Sequence, residues 1–412
     1  MRYRRGFFLA ALLVAISGVT YSMVGIYVRN TSNKTVQYAV WCMRGGEPTR
    51  CRDTLRWLLW FEPNHPEALH VTGLSYLREQ NLAAAIANFD RVAENSPVYL
   101  DAQINMAGAL LADQQLERAE SALRHQLTHN PQSLLVVRFL SGLFLTELRQ
   151  RDAVDILEKF LSRTADHEMP LTDRLTILRD LSTAEFHPPP AQACYPTLKQ
   201  SLQKHPNQPS VCLSLGQCEW SAGHTEDAAR LLSQALEQRP HDQRFRFVTA
   251  QFLLETGNLK AAEEILRTSS ENRLPPADGA QSVIEQDDQY WSLKCQVAEQ
   301  SKEYGQAITC MDRAIAIRPT EKEYATRRAR LLQRANREDE ARAAYSRSHD
   351  LAKVELDLWN LSRELGVRLP TEAECEQMAQ GYEFLGKSLQ AEAWRRLPSH
   401  IEQNATTGSN SP

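Results

Sequence analysis

Two ladders of equal pitch run along this chain. Pro63, Pro97 and Pro131 stand 34 residues apart, as do Pro206 and Pro240, and Ala85, Ala119 and Ala153 repeat the step, with Ala228–Ala262 and Ala307–Ala341 further on. Two independent residue types in one register mean that a single unit is copied in series. Each copy has an apolar face that only a neighbour covers, so the 412 residues set the length of a stack rather than a count of separate globules.

Within a unit, small and large residues alternate at fixed places: Leu69, Gly73, Tyr76, Ala85, Phe89 and Pro97 in one copy, and Gly216, Gly223, Ala228, Leu232, Ala235, Leu236 and Pro240 in another. Gly or Ala lets two antiparallel helices approach, larger residues at helical spacing fill the seam, and Pro stops the second helix. The pattern resembles the tetratricopeptide repeat. That resemblance implies an all-α fold, a right-handed α-solenoid of antiparallel helix pairs whose first helices line a concave face that binds other proteins.

Counting by the alanine register predicts a degenerate first unit over 32–65, repeats over 66–167, a degenerate repeat with a proline-rich insertion over 168–208, repeats over 209–276, a loop over 277–287 and repeats over 288–355. An extra helix near 351–365 and a capping pair to Leu397-Pro398 complete residues 356–398, and 399–412 reads as a disordered tail because it is rich in Asn, Thr, Gly and Ser. The insertions also suggest two halves that meet near 165–208.

Residues 1–5 are basic, and residues 6–28 form a stretch of 23 residues without a charge. At about 1.5 Å per residue it is long enough for a transmembrane helix. Arg2, Arg4 and Arg5 before it favour a cytoplasmic amino terminus and a repeat array on the other side of the membrane. A cleaved secretion signal, leaving a soluble exported or periplasmic adaptor, is the rival reading, although no Ala-x-Ala site is present.

A net charge of −4 argues against a general nucleic-acid binder. No phosphate loop, nucleophile elbow or metalloprotease motif occurs, and almost every segment is already used by helices, so neither enzyme chemistry nor a small-molecule substrate is expected. The eight cysteines form no Cys-x-x-Cys pair, and no cofactor or metal site is expected. His65, His125, His187 and His224 read as turn or helix-end residues. Cys42 and Cys51 take facing seam places in the first unit; two small buried thiols are the default reading, and a disulfide is the alternative in an oxidising compartment.

The repeat register places Leu74, Leu77, Leu111, Arg138 and Leu145 on the first half of the groove. Leu213, Gln217, Trp220, Arg244, Phe247, Gln251 and Gln296 follow, then Arg327, Arg330 and Arg334. An apolar and aromatic groove of this kind suits an extended segment or an amphipathic helix of another protein. Co-chaperones with this repeat hold a terminal carboxylate through lysine, asparagine and arginine, whereas the matching places here carry His70, Leu74, Ile104, Gly108 and Leu135, which argues against that function. The arginines from Arg327 to Arg337 have Glu338, Asp339 and Glu340 directly behind them, so an exposed, self-balanced helix is the alternative to an anion site. The expected function is a membrane-anchored scaffold that recruits partner proteins, with an auxiliary subunit of a membrane enzyme or secretion complex as a further alternative.

Overall fold

The computed structural model describes residues 25–27, 30–164, 169–271, 286–365 and 368–408, and among these no strand occurs. The predicted membrane segment apart from residues 25–27, residues 277–285 of the expected loop and the last residues of the tail lie outside the described residues. Among the described residues no helix is long and apolar enough to cross a membrane. The chain divides into two compact units, Met1–Asn130 and Pro131–Pro412, so the division falls ahead of the 165–208 region expected from the insertions.

The first unit holds α1 (30–44), α2 (Pro48–Phe61), α3 (Pro66–Arg78), α4 (Leu82–Asp90), α5 (Tyr99–Ala112) and α6 (Leu116–His129). Each odd helix pairs with the even helix after it, and α2 and α4 also pack on the next pair, as a stack requires. The second unit continues the pairing with α7 (Leu134–Thr146) and α8 (Gln150–Arg163), but the degenerate repeat expected over 168–208 does not form a packed pair: α9 (Leu171–Phe186) packs on α8, and α10 (Ala191–Lys204) packs on α11 (Pro209–Ser221), which pairs with α12 (Thr225–Gln238). Then come α13 (Gln243–Glu255) and α14 (Leu259–Glu271), α15 (Asp288–Gln300) and α16 (Tyr304–Ile317), α17 (Lys322–Arg334) and α18 (Glu338–Leu365), and α19 (Glu372–Phe384) and α20 (Ser388–Gly408). Each unit is therefore an α-solenoid of helix pairs.

Two boundaries differ from the sequence reading. No separate extra helix exists near 351–365, because α18 runs unbroken for 28 residues. Nothing in Glu338–Leu365 breaks it: the segment has no Gly or Pro, and Leu351, Leu358, Leu361 and Leu365 keep one face buried. Likewise α20 passes through Pro398 and continues to Gly408, so the helix covers most of the tail expected to be disordered. Pro398 removes one backbone donor, and interior prolines of this kind persist when packing on either side holds the helix; Trp394 and Leu397 are buried just before it.

The small-and-large pattern has a direct geometric cause. A Cβ placed on Gly73 would lie 2.5 Å from Phe89 Cε1, and one on Gly216 would lie 2.9 Å from Leu232 Cδ2. Glycine at these places lets α3 approach α4, and α11 approach α12, until the larger side chain fills the seam. Gly381 serves the capping pair in the same way, since a Cβ there would meet Leu358 Cδ2 of α18 at 2.6 Å.

A third ladder of the same pitch appears in the backbone. Gln80, Gln114 and Leu148 all turn from the first helix of a pair into the second with φ of 60°, 63° and 56°, and Lys302 and Asn336 do so with 61° and 57°. Gly223, Gly257 and Gly386 meet the same left-handed demand without a steric cost.

The second unit is fastened to itself. Its last helices return to its early ones: α18 packs on α9, and α20 packs on both α8 and α9. Arg179 of α9 donates to the carbonyls of Leu365 (3.1 Å) and Arg368 (2.7 Å), and His187 bonds Ser362 Oγ at 2.9 Å. Fully buried Tyr382 of α19 meets Ser182 Oγ at 3.2 Å. Lys387 reaches buried Glu185, and Gln390 donates to Glu158.

Candidate functional site

Successive first helices of the second unit converge on one cavity of about 630 Å³. Its wall takes Gln217 from α11, Arg244, Phe247, Val248 and Gln251 from α13, and Ser292, Leu293 and Gln296 from α15, while Arg149, Arg151, Asp152 and Asp155 of α8 and its cap face them. A second cavity of about 830 Å³ shares Gln150, Arg151, Asp155 and Arg318 with the first, and continues to Glu158, Glu185, Glu321, Lys322, Glu323, Glu355 and Lys387.

Charged brackets brace both. Asp288, nearly inaccessible at the start of α15, accepts from Arg151 Nη1 at 2.9 Å and from Tyr324 OH at 2.6 Å, with Arg318 Nε at 3.3 Å on its other oxygen. Arg151 and Arg318 thus neutralise a carboxylate that burial would otherwise penalise. On the opposite side, Arg244 Nη2 donates to Ser214 Oγ at 3.0 Å, Ser214 Oγ donates to the Glu147 carbonyl at 2.8 Å, and the buried Glu147 carboxylate accepts from Arg149 Nη1 at 3.0 Å. Gln217 Oε1 is inaccessible and has no protein donor.

In the second cavity, burial and the neighbouring Glu323 carboxylate push Glu321 up from its ordinary value of 4.5 to about 7. A raised folded-state value favours the protonated form, so this carboxyl supports the fold fully below pH 4.5 and withdraws that support as pH rises through about 7. Glu321→Gln stays neutral throughout. We expect urea unfolding of this variant to show a flatter stability profile between pH 5 and pH 8, with a gain over the parent of about 1–2 kcal/mol at the upper end and none at the lower.

The groove residues read from the sequence separate into distinct sets. Gln217, Arg244, Phe247, Gln251 and Gln296 are brought together at the first cavity. Leu213 belongs to the core, fully buried, and Trp220 is packed edge-on against Phe252 with ring centroids 5.6 Å apart. Phe247 touches the cavity but stacks on Tyr290 and is 4% exposed. Leu74, Leu77 and Leu111 are half-buried against the core of α3–α6, and Leu145 is half-buried as well. Arg138 is exposed and pairs with Asp180 at 2.6 Å. Arg327 is half-buried, Arg330 is exposed and Arg334 pairs with Glu299 at 2.6 Å; none of the three lines either cavity. Arg337 with Glu340 and Arg342 with Asp339 form ion pairs, as the self-balanced alternative expects. The cavity wall is therefore polar and charged, and the expected apolar anchors are spent elsewhere, because the stack uses the leucines and aromatics to seal itself.

Residues that sequence reasoning passed over carry the rest of the cavity. Arg151, Asp288 and Tyr324 are 137 and 36 residues apart in sequence and meet only through the fold. Cys42 and Cys51 are both fully buried in the core of α1–α3 and stand as free thiols, with Cys51 pushed up to about 11 by burial and by Cys42. No disulfide joins them, in keeping with the reading of two small buried thiols. In the first unit, Glu94, His125 and His129 gather at the surface.

Family models for the tetratricopeptide repeat match residues 70–126 in the first unit and 219–281 in the second. Over these two segments the helix pairs are tetratricopeptide repeats. The repeat models cover the places where Gly73 meets Phe89 and Gly216 lies just ahead of the second match. No curated protein matches the sequence. Among solved structures, MamA from Desulfovibrio magneticus RS-1 is similar at 16% identity over 44% of this chain and 96% of its own, with a TM-score of 0.32. A tetratricopeptide repeat protein from Parabacteroides merdae ATCC 43184 is similar at 12% identity over 65% of this chain and 97% of its own, with a TM-score of 0.31.

Proposed function

We propose that the chain is a membrane-anchored interaction scaffold with no chemistry of its own, which takes a polar, charged segment of a partner protein at the first cavity of its second unit. The observation that carries this reading is the convergence of Gln217, Arg244, Gln251 and Gln296 from three successive first helices on one wall. Amide and guanidinium groups spaced along a groove hold the backbone and polar side chains of an extended segment, and Arg151 with Asp288 gives its floor both signs of charge. Fixing such a receptor to a bilayer raises the local concentration of what it binds.

Two features support the membrane placement. The uncharged residues 6–28 run directly into α1. Where they end, a Cβ on Gly25 would lie 3.4 Å from the Phe61 ring at the close of α2, and beside it Tyr27, Trp57 and Trp60 are 69%, 60% and 66% exposed. Tyrosine and tryptophan are the residues that favour the boundary between hydrocarbon and water. The array then stands on the non-cytoplasmic side.

A photo-crosslinking residue at Gln251, on the cavity wall, and one at exposed Glu263 on α14 test the reading in native membranes. The Gln251 probe is expected to capture a partner that the Glu263 probe does not, and Gln251→Ala with Gln296→Ala to weaken that partner's binding at least tenfold. Equal capture from both positions, or unchanged affinity in the double variant, refutes it. Trp220→Ala and Phe247→Ala are unsuited to the purpose because both rings pack within the stack. Amino-terminal sequencing of the same material decides the anchor: a start near Tyr21 replaces it by a released adaptor.

A further inference from the structure

The turn between α4 and α5 carries Glu94, and the last turn of α6 carries His125 and His129, one helical turn apart on the same face. Their nitrogen and oxygen ligand atoms all lie within 4.8 Å of one another. Glu94 Oε1 stands 2.6 Å from His129 Nε2 and 3.9 Å from His125 Nε2, and the two imidazoles are inclined at 64° with centroids 4.6 Å apart.

We propose that Glu94, His125 and His129 form a three-ligand site for a divalent ion of the zinc class, with its fourth position open. Donor atoms around a tetrahedral zinc at bonds of about 2.0–2.1 Å stand roughly 3.3–3.4 Å from each other, which falls between the two separations found here and needs only side-chain adjustment. Two imidazoles and one carboxylate are the donor set such an ion prefers over magnesium or calcium, which take oxygen.

The surroundings orient the donors as well as supplying them. His129 Nδ1 lies 3.0 Å from the His125 carbonyl, so Nδ1–H donates there and Nε2 faces Glu94, donating to its carboxylate when the ring is charged and presenting its lone pair once a metal ion displaces that proton. Tyr99, 8% exposed, sets its ring edge-on to both imidazoles at 6.4 and 6.3 Å, and its hydroxyl is 3.1 Å from His125 Nε2. Beside the site lies a cavity of about 420 Å³ lined by Asp90, Tyr99, Gln103 and His125. A fourth ligand approaches from there or from solvent, so the ion is placed to accept water or a donor group of a second protein. Because Glu94, His125 and His129 are all exposed, the cluster contributes little to the core, and its replacement leaves the fold intact.

Cobalt(II) titration of the full-length protein, followed by its visible d–d bands and displaced by zinc, tests the site. One equivalent is expected to bind with a four-coordinate spectrum, and magnesium not to compete. His129→Gln and Glu94→Gln are each expected to weaken binding at least tenfold, and His125→Gln with His129→Gln to abolish it, with helical circular dichroism unchanged. His65→Gln serves as the control, since His65 also neighbours carboxylates, Glu62 and Glu67, but has no second imidazole beside it. Absence of a cobalt spectrum, or the same titration in the double-histidine variant as in the parent, overturns the proposal and leaves Glu94 and His129 as an ion pair only.

Discussion

Replacing Lys387 with methionine is expected to destabilise the second unit by about 2–4 kcal/mol at pH 8, and by much less at pH 5. Glu185, whose side chain is 5% exposed, has Lys387 as its cation partner, with the Tyr382 hydroxyl nearby. Burial already pushes this carboxyl up from its ordinary range, against the pull of Lys387 and Tyr382. Without the ammonium, burial goes unopposed by charge and the upward shift grows. A folded-state value above the unfolded one supports the fold below the unfolded value and is lost as pH rises through the folded one. The variant should therefore approach the parent in acid and diverge from it above neutrality, as read by urea unfolding at several pH values. The double variant Lys387→Met with Glu185→Gln removes the buried charge and should recover most of the loss; failure to recover would mean that Lys387 acts through packing instead.

Gly73→Ala is the second large effect, with an expected loss of about 1–3 kcal/mol in the first unit. Alanine favours a helix interior over glycine by about 1 kcal/mol, so the substitution ought to stabilise α3 in isolation. The seam decides otherwise: the new Cβ would lie 2.5, 2.7 and 2.9 Å from three atoms of the Phe89 ring, and Phe89 is fully buried with no room to swing. Phe89→Leu in the Gly73→Ala background should restore part of the stability, because leucine is the residue at the equivalent place, Leu123, opposite Ala107 in the next pair. A thermal-unfolding cycle over the four proteins gives the coupling. Additive effects would show that the two side chains do not meet.

The pairing of helices was legible in the sequence because the constraint is local and repeated. Gly73 with Phe89 and Gly216 with Leu232 are each one helix pair, and the contact that demands a small residue lies within the repeat that displays it. The proline and alanine ladders therefore located the pairs and their turns. The site was only partly legible. Gln217 and Gln251 could be placed on one wall because they occupy the same repeat position, with Arg244 two turns before Gln251 on α13, whereas Arg151, Asp288 and Tyr324 meet through contacts between distant pairs that no period encodes. Leu213, Trp220 and Phe247 were misjudged as ligand anchors for a related reason: apolar residues on a first helix serve the neighbouring pair as readily as a groove, and only the neighbour's position distinguishes the two. The unbroken α18 was missed because a change in spacing measures inserted length without saying whether that length is a loop or more helix.

An open stack of helix pairs has a loose end from which it opens one pair at a time. In the second unit Arg179 and His187 hold the end of α18 and the segment after it, and Tyr382 and Lys387 hold the last pair to α9, so opening there requires several distant attachments to fail together. Amide exchange should accordingly be as slow in α19 as in α9, with no gradient towards the carboxyl end. If the cavity takes a partner segment as proposed, a body braced in this way surrenders little conformational freedom on binding and selects its partners by their fit to the cavity it already has.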